Sequence, residues 1–115
     1  MNKEVLLERF KVWALNVILL CRELPKAEEF NIIKRQLIRS AASSAANYSA
    51  SNRAKSTKDL INKRKIVEEE LDESLVWLDM LQRLLNGWDE KISPLSKEAN
   101  TLLGIIVNSI KAQRR

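Results

Sequence analysis

Thr57–Leu85 reads TKDLINKRKIVEEELDESLVWLDMLQRLL and is followed by Asn86-Gly87. Leu60, Val67, Leu71, Leu75, Leu78 and Leu85 return at spacings of three, four and seven, which puts them on one face of an α-helix. Ser56 supplies an N-cap, Asp59 a short capping-box partner, and Asn86-Gly87 a C-terminal stop. At 1.5 Å per residue this helix is predicted to span roughly 40–45 Å. A single apolar stripe on so long a helix needs other helices to cover it.

Three more periodic segments surround it. Lys3–Glu23 carries Leu6, Phe10, Trp13, Val17 and Leu20, with Leu24 continuing the stripe, and stops at Leu24-Pro25 because proline cannot continue a helix. Glu28–Ala54 carries Phe30, Ile33, Leu37, Ala41, Ser44 and Tyr48 on one side. Its middle, Ser40 to Ala50, is almost all Ser and Ala, a seam that lets a neighbouring helix approach closely. The last helix is predicted over residues 94–112, with Ser93 as N-cap, Pro94 at the first helical position and Leu95, Ala99, Leu102, Ile106 and Ile110 inward. Lys111, Arg114 and Arg115 complement the dipole at its end. Helices joined by short turns give an all-α, antiparallel up-down four-helix bundle as a single domain over 1–115. A coiled-coil hairpin with a loose tail is the alternative architecture.

Composition agrees. The chain has 115 residues, only two glycines and two prolines, 45% apolar and 30% charged residues, a globular balance with few breakers. The single cysteine, Cys21, makes no internal disulfide and fits a reducing compartment, so a cytoplasmic location is expected. No apolar run reaches the roughly 18 residues of a membrane span. Glu4 and Glu8 argue against a signal peptide. The net charge of +5 and pI near 9.6 are compatible with nucleic acid and equally with extra lysines for solubility.

Several chemistries lack their residues. There is no histidine, which removes Ser-His and Cys-His nucleophile pairs and the Glu-x-x-His sites of di-iron bundles. One cysteine cannot make a zinc site, and no glycine-rich phosphate loop is present. Cys21 reads as a small buried hydrophobe. In the run Glu68-Glu69-Glu70-Leu71-Asp72-Glu73 consecutive carboxylates point in different directions, which favours a solvated face over acid–base or Mg²⁺ chemistry. Glu70 and Glu73 share one side and can meet a basic residue on another helix or subunit. No enzyme activity, cofactor, metal or small-molecule substrate is expected.

Gln36–Tyr48 (QLIRSAASSAANY), Arg53–Ser56 (RAKS) and Ile66–Leu81 (IVEEELDESLVWLDML) together resemble a bacterial four-helix bundle family, known from proteins encoded in intervening sequences of 23S ribosomal RNA genes. Avd, the accessory protein of diversity-generating retroelements, is similar. The resemblance is carried by the second and third helices, with the outer two matching only by pattern. Ala45 stands where family members often have Pro or Gly, and Ser49-Ala50-Ser51 where many have Ala-Glu-Gly, so the second helix is expected to be straighter. The resemblance implies a homopentamer, no established enzyme activity and, chiefly in the retroelement branch, nucleic-acid binding.

Two kinds of site follow. Val5, Val12 and Leu19 form a second stripe on the first helix, and Ile66, Trp77, Met80 and Leu84 one on the third. A monomeric bundle buries one stripe per helix, so these are candidate oligomer contacts, with Trp77 as an anchor. Arg35, Arg39 and Arg53 fall within about 40° of one another on the second helix, and Lys55 and Lys58 extend the charge: a candidate sequence-independent RNA or DNA surface, or a solvated basic face. Asn47 and Tyr48 are expected to be structural, Asn47 by bonding a neighbouring helix or else by facing solvent. The leading reading is a non-enzymatic oligomeric bundle protein. The alternative is a basic nucleic-acid-binding accessory protein, such as a partner of a reverse transcriptase.

Overall fold

In a computed structural model, which describes residues 1–114, four helices run α1 (Lys3–Arg22), α2 (Glu28–Ser51), α3 (Thr57–Leu84) and α4 (Asp89–Gln113). Each packs on its chain neighbours, and α4 closes on α1 with the least contact; among the described residues neither diagonal pair, α1 with α3 or α2 with α4, brings Cα atoms within 8 Å. This is the up-down bundle, 45 × 22 × 20 Å, as long as its longest helix.

The ends follow local chemistry. Asn2 Oδ1 accepts from the Val5 N–H at 2.8 Å, and Ser56 Oγ accepts from the Asp59 N–H at 3.1 Å. The Asp59 carboxylate reaches back to the Lys55 N–H at 3.0 Å, one residue beyond the usual capping-box donor. Lys63 and the Lys55 N–H hold its carboxyl below the usual carboxylate range. Gly87 has φ +79°, so the turn after α3 needs the left-handed backbone that glycine tolerates.

Two predicted boundaries are corrected. α2 ends at Ser51, not Ala54, because the N–H groups of Asn52, Arg53 and Ala54 turn to carbonyls three residues back, at 3.2, 3.1 and 3.2 Å, tightening the chain before the extended Ser56. α4 begins at Asp89, well before Pro94. The Trp88 carbonyl accepts from Lys91 and Ile92 at 3.0 Å each, and Asp89 and Glu90 in the first turn suit the helix dipole. Starting early buries Ile92 completely, and Pro94, inside the helix, has no N–H to offer the Glu90 carbonyl.

The predicted stripes form the core. Phe10, Val17, Leu37, Leu71, Leu78, Leu102 and Ile106 are fully buried, each stabilising by about 1.5–3 kcal/mol relative to exposure. Phe10 stacks on Tyr48 with centroids 4.9 Å apart. Phe30, Leu75 and Leu85 pack only partly against this core, and Leu60 is half-buried. The small-residue seam lies between α2 and α3, where the Ser40 and Ser74 hydroxyls meet at 2.7 Å.

Cys21 is 1% exposed. Burial, only partly offset by the charge of Lys34, raises its thiol to about 11. Because the folded value lies above the unfolded one, this contribution to stability is present at neutral pH and is lost as pH rises through about 11. In native protein at pH 8, Cys21 is therefore expected to resist iodoacetamide and to react at the ordinary rate once unfolded; rapid native labelling would contradict its burial.

Candidate assembly faces and the basic end

Among the described residues ten large apolar side chains are exposed, and eight of them fall into two groups: Val5, Val12, Leu15 and Leu19 on α1, and Ile66, Val76, Met80 and Leu84 on α3. At 100° per residue each group spans about 80° of its helix. Since α1 and α3 are diagonal, the two faces lie at opposite corners of the bundle. Leu15 and Val76 extend the stripes expected from sequence. Trp77 borders the α3 face and is half-buried against the core, so its ring is divided between the fold and the surface.

The α1 face borders α4. Val5, Glu8, Arg9, Val12 and Glu98 line an apolar groove of about 330 Å³, closed on one side by Arg9 and Glu98, whose bonds measure 3.0 and 2.5 Å. On α3, Glu73 projects into the apolar face, where its carboxylate accepts from Trp77 Nε1 at 3.3 Å and pairs with Arg39. Arg39 also bonds Glu70 at 3.1 Å. These bonds, that with Glu73 foremost, raise the guanidinium above its ordinary value. Glu70 and Glu73 thus meet a basic residue of a neighbouring helix. The pairing offsets one of the two negative charges beside the apolar stripe and engages Arg39, one of the arginines expected at a nucleic-acid surface.

Arg35, Arg53, Lys55 and Lys58 are exposed. Arg35 lies in the first half of α2, whereas Arg53 falls in the turn beyond its end; they are 18 residues apart, about 27 Å along a helix, and stand toward opposite ends of the bundle. Arg53, Lys55 and Lys58 instead join a different group. The end formed by residues 3–8, 53–65 and 106–114 carries nine cations against Glu4, Glu8 and Asp59, a net +6. The other end, residues 19–35 and 79–94, has six of each sign and is neutral. The excess of positive charge among the described residues therefore sits at one pole.

One member of the basic pole is inside. Arg64 is 7% exposed, its guanidinium carbon 5.9 Å from the Tyr48 ring centre. Its Nε has no hydrogen-bond partner. The stripe already contained it, since Arg64 follows Leu60 by four and precedes Val67 by three; its charge hid it. Tyr48 is buried as expected. Asn47 gives both its bonds to Ser43 of its own helix, at 2.9 Å to the carbonyl and 3.0 Å to Oγ. Its expected bond to a neighbouring helix is replaced by this local pair, and the Ser40–Ser74 contact bridges α2 and α3 instead.

Among the described residues no cluster of metal-ligating side chains occurs, and no helix is long and apolar enough to cross a membrane. The family described as 23S rRNA-intervening sequence protein has a model that matches residues 5–108. No curated protein matches the chain. The chain is similar to a protein of unknown function from the S23 ribosomal protein family of Bacteroides thetaiotaomicron VPI-5482, with a TM-score of 0.87 and 24% identity over 96% of this chain and 99% of that one. At that identity the likeness establishes the fold.

Proposed function

We propose, from the premise that the chain belongs to the 23S rRNA-intervening sequence protein family, that it acts as a self-assembling, non-catalytic subunit. The observation that carries this reading is the pair of unlike apolar faces at opposite corners of one bundle. Two unlike faces join head to tail, and such contacts close into a ring when the rotation between copies permits. The α3 ridge of Met80, Leu84 and Trp77 enters the α1–α4 groove of the next copy, with Arg39 neutralising Glu73 before it is covered. A closed ring leaves neither face in water, whereas a monomer leaves both. The number five comes from the family resemblance.

Light scattering at micromolar concentration tests this. The expected mass is about 66 kDa, five times the 13.2 kDa chain; a mass near 13.2 kDa ends the reading.

The concentration of net charge at one pole favours a second role, binding of RNA or DNA backbone. A ring whose axis follows the bundle axis presents every basic end on the same side, so weak phosphate contacts add through effective concentration. Replacing Arg53, Lys55 and Lys58 by Ala is expected to weaken binding to all sequences and to lower the log–log salt slope by up to about 0.9 per lost contact on duplex DNA. Unchanged affinity and slope in that variant exclude the basic pole as the surface.

A further inference from the structure

Ile32, near the start of α2, is 46% exposed, and neither apolar group accounts for it. Its place follows from the contacts that fix α2 against its antiparallel neighbour α3. Arg39 pairs with Glu70 and Glu73, and Ser40 meets Ser74 beside them. Seven residues make two turns, which return a side chain to within about 20° of the same side. Two turns back from Arg39 along α2 is Ile32, and two turns on from Glu70 and Glu73 along α3 are Trp77 and Met80. Ile32 therefore stands across the seam from Trp77 and Met80, and the apolar surface of α3 continues onto α2. With Ile32 placed, every exposed large apolar side chain among the described residues except Met1 belongs to one of two surfaces.

Those surfaces lie on opposite sides. In an up-down bundle the α2–α3 seam faces away from the α1–α4 seam, and the α1 group borders α4 across the Arg9–Glu98 pair. The α1–α4 side is recessed twice. Besides the groove at Val5 and Val12, a recess of about 270 Å³ is lined by Asn16, Leu19, Leu20, Glu23, Lys91 and Leu95. The free charges at the two rims are opposite in sign. Arg35, one turn on from Ile32, is exposed and makes no ion pair among the described residues. The same holds for Glu8 at the groove, where Arg9 is engaged by Glu98. A specific interface takes about 800 Å² from each partner, which a surface shared by two helices meets more readily than one stripe. We infer that the α2–α3 side, with Ile32 in it, docks on the α1–α4 side of a second copy of this chain. A second copy covers both surfaces at once, because each copy brings both. The inference rests on the assembly reading and adds to it the contribution of α2.

Native mass of full-length variants at micromolar concentration tests it. Ile32→Glu is expected to lose the assembly and to run near 13.2 kDa. Mixed in equal amounts with Val12→Glu, whose α2–α3 side is intact, it should form a heterodimer of about 26 kDa through its own intact α1–α4 side. Mixed with Met80→Glu it should stay monomeric, because both carry the damage on the same side. Should Ile32→Glu lose its helical circular dichroism, Ile32→Gln carries the same three measurements. If the wild type assembles and the variant keeps full mass, the inference is overturned and the assembly reading stands. A heterodimer with Met80→Glu, or none with Val12→Glu, overturns it as well. A wild-type mass near 13.2 kDa ends both.

Discussion

Trp13→Ala is expected to destabilise the bundle by about 3–5 kcal/mol, the usual range for removing a buried aromatic ring. Trp13 is 1% exposed, and its Nε1 donates to the Leu95 carbonyl at 2.9 Å. That bond joins α1 to α4, the adjacent pair with the least contact, so the variant loses both ring and tie where the bundle is thinnest. Against a total of roughly 5–15 kcal/mol for a domain, the change should be plain in a urea melt. Trp13→Phe keeps most of the ring and drops only the donor. The Leu95 carbonyl, inside α4, still faces the Ala99 N–H, so this variant should lose about 1–2 kcal/mol. Both melts need one protein concentration, because any self-association would add to apparent stability. A Trp13→Ala loss below about 1 kcal/mol would contradict the packing described for this corner.

Met80→Glu is expected to abolish assembly while sparing the subunit. Met80 is 40% exposed and contributes little to the core, so the variant should melt within about 0.5 kcal/mol of a dissociated wild-type subunit. In the assembly the same carboxylate would be covered beside Glu73, whose ion-pair partner Arg39 already serves Glu70 as well. An unpaired charge buried at a contact costs about 3–5 kcal/mol, roughly 150- to 4,000-fold at every junction of a ring. Arg39→Ala is expected to act in the same direction by exposing both acids.

The fold was legible because the stripes are long. On α1 every residue of the predicted stripe is buried, and Pro25 and Gly87 mark two of the turns. The start of α4 was not legible from local signals, since Ser93-Pro94 looks like a helix opening. The burial of Ile92, a tertiary effect, decided the matter. The exposed apolar faces were half legible: the α1 and α3 stripes stood out, while Leu15 and Val76 lie inside apolar runs, Val12–Leu15 and Leu75–Leu78, where no single residue marks the outward side. The charged surface was read least well, for a geometric reason. A helical wheel reports angle and discards height, so Arg35 and Arg53 coincided on the wheel although Arg35 lies in the first half of α2 and Arg53 in the turn beyond its end. The wheel also shows no neighbouring helix, so the engagement of Arg39 by Glu70 and Glu73 stayed hidden.

The head-to-tail contact is tested most directly by mixing two one-face variants, Val12→Glu and Met80→Glu, and reading native mass. Each alone has one damaged and one intact face, and each is expected to run as a monomer of about 13 kDa. Mixed in equal amounts, the intact α3 face of the first meets the intact α1 face of the second and the chain stops there. The account therefore expects a heterodimer of about 26 kDa and nothing larger. If either variant alone forms a stable dimer, like faces pair with like; if the mixture stays monomeric, the two faces do not meet, and either result contradicts the account.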